Sequence, residues 1–147
     1  MLFAMLFDRR GDVYAWVATL VVFVAIPLAS LSIDVVRLMY VRTHLQAAND
    51  AACQAAADAL DAPHFIATGQ KRINHALARS QANRVFSATL GDAARVGFNY
   101  SLALAYPAPT FAHCTASANV EHMIPITPPM RVVVKTTSEM RAERHGR

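Results

Sequence analysis

From Val13 to Ile33 the chain runs VYAWVATLVVFVAIPLASLSI, 21 residues without a charged side chain. A helix of about 20 apolar residues covers the hydrocarbon core of a bilayer, so this stretch predicts a transmembrane helix over 13–33. Arg9, Arg10 and Asp12 bracket it on one side and Asp34 and Arg37 on the other. Tyr14 and Trp16 stand near its start, where amphipathic rings favour the headgroup zone. Pro27 lies inside the span and is expected to kink it. A cleaved secretory signal would have a shorter apolar region, about 7–15 residues, ending in a small-residue site. Ala29-Ser30-Leu31-Ser32 imitates such a site only weakly. The length of the run, and a helical pattern that continues beyond it, favour an uncleaved anchor. Charge leaves the orientation open, because Arg9 and Arg10 are matched by Arg37 and Arg42.

The segment LQAANDAACQAAADAL, Leu45 to Leu60, holds eight alanines in sixteen residues. Leu38, Val41, Leu45, Ala48, Ala52, Ala55 and Ala59 follow alternating spacings of three and four, which predicts a narrow packing seam on one helix face. Arg42, Gln46 and Asn49 fall on one neighbouring face, and Asp50, Gln54 and Asp61 on the next. A buried methylene is worth about 0.8 kcal/mol, so alanine gains little from burial. It does have the highest helix propensity, and it lets another backbone approach closely. With Pro63 as the expected stop, one helix is predicted from Val13 to about Ala62, its first half in lipid and its second half in water.

Beyond it, a second helix is predicted over about 68–90, closed by Gly91. Alternation of large with small or polar residues predicts strands over 96–106, 116–126 and 131–138, the first ended by Pro107 and Pro109. The expected fold class is α+β: a long N-terminal helix, half transmembrane, then a second helix and a small antiparallel sheet. The expected divisions are a leader over 1–12, the span over 13–33, its extramembrane continuation over 34–62, a small domain over 63–140 and a charged tail over 141–147.

Several function classes find little support. The 14 Lys+Arg and 10 Asp+Glu give a formal charge of +4, and the basic residues are scattered without an aromatic-interleaved stripe, so no nucleic-acid partner is expected. The six histidines form neither HxxxH nor HExxH, the two cysteines form no CxxC, and no glycine-rich phosphate loop occurs, so neither metal nor cofactor is expected. Cys53 and Cys114 suit either a disulfide in an oxidising compartment or two unpaired small residues. His113 adjoins Cys114, but neighbouring side chains of a strand point to opposite faces, so the pair makes a poor nucleophile and base. No enzyme activity is expected. Asn99-Tyr100-Ser101 has the form of a glycosylation acceptor, a triplet common by chance.

Taken in order, Arg9-Arg10-Gly11, the apolar span, Ile33-Asp34-Val35-Val36-Arg37-Leu38-Met39-Tyr40 and Leu45-Gln46-Ala47-Ala48-Asn49-Asp50-Ala51-Ala52 resemble the N-terminal region of TadE/TadG-like proteins. These are pilin-like minor subunits of the tight-adherence (Flp) pilus, within the type IV pilus and type II secretion superfamily. The resemblance covers about residues 9–60. It implies a cytoplasmic N-terminus in the bacterial inner membrane, a periplasmic pilin-like domain, and membrane lipid, other pilin-like subunits and inner-membrane assembly proteins as partners. It also implies Gly11–Asp12 as a candidate cut for prepilin peptidase. Processed members tend to carry glutamate five residues after the cut, followed by an aromatic. Here those positions hold Trp16 and Val17, a departure that points to the TadG-like subgroup. The rival reading is a membrane-anchored periplasmic binding or sensor domain unrelated to pili.

Overall fold

The structure, a computed structural model, describes residues 9–91, 99–120 and 129–141. It is an α+β fold built on one unbroken helical stem. The stem comprises α1 (Arg9–Leu20), a π-helical turn (Val21–Ala25) and α2 (Ile26–Ala57). Two shorter helices follow, α3 (Ala62–Thr68) and α4 (His75–Leu90). Strands β1 (Asn99–Ala108), β2 (Phe111–Val120) and β3 (Met130–Glu139) then form an antiparallel sheet in the order β1-β2-β3.

Pro27 accounts for the π turn. It has no amide hydrogen, and its ring crowds the carbonyl four residues back. Widening the preceding turn relieves the ladder there, and the amide of Ile26 reaches the carbonyl of Val21, five residues back. The stem continues through Pro27 as helix on both sides.

At its far end the stem stops at Ala57, not Ala62. Asp58 closes it, its amide reaching the carbonyl of Gln54 at 3.0 Å. Pro63 opens α3 instead of ending α2, because proline is at home in a first turn, where its missing donor has no helical partner to lose. Asp61 caps that turn through the amide of His64 at 3.3 Å. The helix expected from residue 68 begins at His75. Gly69 takes up a left-handed conformation, φ 71°, that ends α3, and Asn74 caps α4 through the amides of Ala76 and Leu77.

The first two strands are displaced from expectation, whereas β3 covers the expected 131–138. β1 runs through Pro107, which an edge strand tolerates, with a register shift between Ala105 and Ala108. β2 starts at Phe111, not at residue 116, because its inward residues Ala112, Cys114, Ala116 and Ala118 are all small and give no alternation in size. The part of the expected second strand beyond Val120 lies outside the described residues, as do residues 96–98 and 142–147 and the first eight residues of the leader.

The core sits around the second half of α2, which packs on α4 and on β2 and β3. Val41, Leu45, Ala48, Ala52, Cys53, Ala56 and Ala57 of α2 are buried together with Ala78, Ala82, Phe86 and Leu90 of α4. The inward residues of β2 and Val134 of β3 complete the cluster. Helix axes packed through small side chains lie near the short end of the 8–10 Å range. The alanines of α2 and α4 and the small residues of β2 therefore form one closely approached core. Replacing Ala52, fully buried, by leucine is expected to lower stability by about 1–3 kcal/mol through overpacking. The same change at half-buried Ala55 is expected to cost less. Urea unfolding of the full chain in detergent, followed by circular dichroism, measures both.

Candidate functional site

The span is exposed along its whole length apart from half-buried Ser30, with Val13, Tyr14, Trp16, Leu20, Phe23, Leu28 and Leu31 all open to their surroundings. At about 1.5 Å per residue, 13–33 extends for about 31 Å, the thickness of a hydrocarbon core. Among the described residues this is the one helix long and apolar enough to cross a membrane. Arg9, Arg10, Gly11 and Asp12 contribute backbone to the first turn of α1. Beyond the span, Asp34 and Arg37 are half-buried and Arg42 is exposed.

The structure divides the expected seam between two elements and adds a second seam to it. Leu38 packs against the core from a half-buried position, and Val41, Leu45, Ala48 and Ala52 are buried. Ala55 is only half-buried, and Ala56 and Ala57 are buried beside it. Ala59 is buried too, but it lies past the end of the helix. The seam is spent within the chain's own domain, on α4 and the sheet.

The face carrying Gln46 and Asn49, beside the seam, turns toward the sheet, a role not expected from the sequence. Asn49 is fully buried and faces the sheet. Its side-chain amide donates to Thr136 Oγ1 at 3.0 Å and to the carbonyl of Cys114 at 3.4 Å. Gln46 donates to Asp50 at 2.8 Å and to Thr136 Oγ1 at 3.3 Å, and Thr136 donates to Asp50 at 2.5 Å. Further along, Ser138 donates to Gln54 Oε1 at 3.4 Å. The inward side of β3 changes from Val132 and Val134 to Thr136 and Ser138, and α2 changes with it from Leu38 and Val41 to Asn49 and Gln54. Burying an amide without a partner costs several kcal/mol. The Thr136 hydroxyl of β3 and the Cys114 carbonyl of β2 take the amide hydrogens of Asn49, while its Oδ1 has no hydrogen-bond partner among the described residues. The signal was available in the change from valine to threonine and serine along β3.

Cys53 and Cys114 form a disulfide between α2 and the central strand, with Cα atoms 5.6 Å apart. Cys114 is thereby removed as a nucleophile. His113 lies on the other side of β2, its Nδ1 2.8 Å from Thr137 Oγ1. His44, His64 and His75 belong to three separate helices, and among the described residues no three metal-ligating side chains converge.

At the end farthest from the span, four backbone bonds join the loops. Asp61 N–H reaches Arg72 O, Asn74 N–H reaches Ala59 O and Ile73 N–H reaches Pro109 O, each at 2.8 Å, and Met140 N–H reaches Thr110 O at 2.9 Å. Arg72 also pairs with the carboxylate of Asp61 at 2.8 Å. That guanidinium, aided by the amide of His64, holds Asp61 below the ordinary value of 3.8. His75 stacks on Tyr106 with ring centroids 4.3 Å apart. Partial burial raises the Tyr106 hydroxyl above its ordinary value of 10.0.

Residues 13–59 match the family model described as putative Flp pilus-assembly TadE/G-like. The match covers the stem from Val13 and stops at the turn after it, leaving Arg9–Asp12, α3, α4 and the sheet uncovered. No curated protein and no solved structure matches the chain. The matched segment therefore holds the span, its charged junction and the buried alanine face in one helix.

Two outcomes follow from these contacts. The double variant Cys53→Ala/Cys114→Ala is expected to lose about 2–4 kcal/mol, since the bond closes a separation of 61 residues. Pulse proteolysis of the full chain in detergent reads this loss. Because Asp61 is lowered in the folded state, its contribution is present above the ordinary carboxylate range and lost as pH falls through its own lowered value. Arg72→Gln is expected to move the Asp61 titration, followed by carbon-13 NMR of the carboxyl, back up toward 3.8.

Proposed function

We propose that the chain is a membrane-anchored, pilin-like minor subunit acting in assembly or priming of a tight-adherence (Flp) pilus. The observation that carries this reading is the family match over 13–59, a segment in which an exposed apolar span and the core helix of a folded domain are one helix. The role is structural and not catalytic. The domain lies on the periplasmic side, the N-terminus lies in the cytoplasm, and the partners are other pilin-like subunits and inner-membrane assembly proteins. The buried seam is occupied internally, so subunit contacts fall to the exposed face of the stem before Leu38.

Prepilin peptidase is a further partner if Gly11–Asp12 is cut. A mature N-terminus at Asp12, read by terminal-peptide mass mapping, marks a processed subunit, and an intact leader marks a permanent membrane component. Tagged full chain, solubilised in mild detergent from the membranes of its native host, is expected to co-purify with Flp pilus-assembly proteins. Recovery as a clean monomer with none of them overturns the proposal in favour of an independent anchored sensor. Phe23→Ala, at an exposed span position, is expected to reduce that recovery about threefold while leaving domain stability unchanged.

A further inference from the structure

A groove of about 450 Å³ lies between the start of α2's extramembrane part and the start of β3. It is lined by Val35, Leu38, Met39 and Arg42 from the helix and by residues 130–133, including Met130 and Arg131, from the strand. Neither the family match nor the proposed pilus role assigns it. We propose that this groove seats an anionic phospholipid of the leaflet from which the stem emerges, with Arg42 on its phosphate, Arg131 adding positive charge from the strand wall, and the methionines and valines against its upper acyl chain. The inference rests on the reading of 13–33 as a membrane span.

Position selects this occupant over a second protein. Val35 stands about 3 Å beyond Ile33 along the helix axis, and Arg42 about 13 Å. The headgroup layer on each side of a bilayer is about 5–8 Å deep, so the groove opens within it and the base of the Arg42 side chain stands above. Arg131 adds a second charge from the strand wall, where its guanidinium donates to Ser117 Oγ at 3.4 Å. Long arginine side chains reach back toward such a layer while their stems lie on apolar surface. The apolar surface also continues past the charge-free run. Val35, Val36, Met39 and Tyr40 on the helix and Met130 and Val133 on the strand are exposed, Val36 and Met39 by two thirds. In water such a collar is costly, whereas at the headgroup boundary it is covered.

Charge agrees with the choice. Among the described residues of 34–45 and 129–134, Arg37, Arg42 and Arg131 stand with Asp34 as the sole carboxylate. Each arginine near an anionic surface contributes roughly a fivefold preference for it, weakened by salt.

The test uses full-length Trp16→Phe/Met130→Trp chain in vesicles of phosphatidylcholine with a minority of phosphatidylglycerol, one lipid at a time carrying bromine on its acyl chain. Flotation with the vesicles comes first. A chain that does not float disproves the span and the groove proposal together. For a chain that floats, the expected result is at least about fivefold more tryptophan quenching per molecule of brominated phosphatidylglycerol than of brominated phosphatidylcholine. Arg42→Gln/Arg131→Gln is expected to abolish that preference, and Arg79→Gln, on α4 toward the far end, to keep it. Equal quenching by the two lipids, no quenching by either, or a preference that survives the double variant overturns the groove proposal and leaves the span intact.

Discussion

The close approach of α2 to the central strand is the contact on which the rest of the architecture depends. It requires small side chains on both partners: Ala48, Ala52 and Ala56 on the helix, and Ala112, Cys114, Ala116 and Ala118 on β2. With large residues on either, Asn49 could not reach the carbonyl of Cys114, nor Cys53 its sulfur. Dispersion falls steeply with separation, so a core of alanines holds only when backbones nearly touch. Such a core gains little from burial alone. The disulfide and the Asn49–Thr136–Asp50 network supply directional bonds where methyl groups offer few contacts.

The same economy of volume explains α4. Ala78 and Ala82 let it lie against α2, and Phe86 and Leu90 fill the wider space toward the span. Phe86 meets Tyr100 of β1 with centroids 5.8 Å apart, closing the core beneath the edge strand. The far end is closed by main chain instead. There the loops bearing Ala59, Ile73 and Pro109 exchange hydrogen bonds around the fully buried Ile73 side chain.

What was legible in the sequence follows from the strength of each local constraint. The span and the alanine helix could be read because both are long and their composition is extreme. The end of that helix was misplaced because proline has two meanings near a terminus, and only the Asp61 cap, three residues before the His64 amide it accepts, tells them apart. The start of β2 was missed because all its inward residues are small. The sheet-facing role of Asn49 was hidden because a polar residue on a helix is usually solvated, and its shortest hydrogen bond goes to Thr136, 87 positions away. Long-range pairings of that kind leave no local periodicity.

The π turn has a consequence for anything that lies beside the stem. A π turn introduces one extra residue into the count, and one residue is about 100° around a helix. A stripe traced by threes and fours through Arg9–Leu20 therefore does not run straight into the stripe traced the same way from Ile26 onward. A straight neighbouring helix that follows the whole stem touches one set of positions before Val21 and a set counted one place later after Ala25. The azimuth of the domain about the membrane normal is thus written into the span itself. Deleting a single residue from Val21–Ala25 would turn the domain about its own axis without altering a contact inside it.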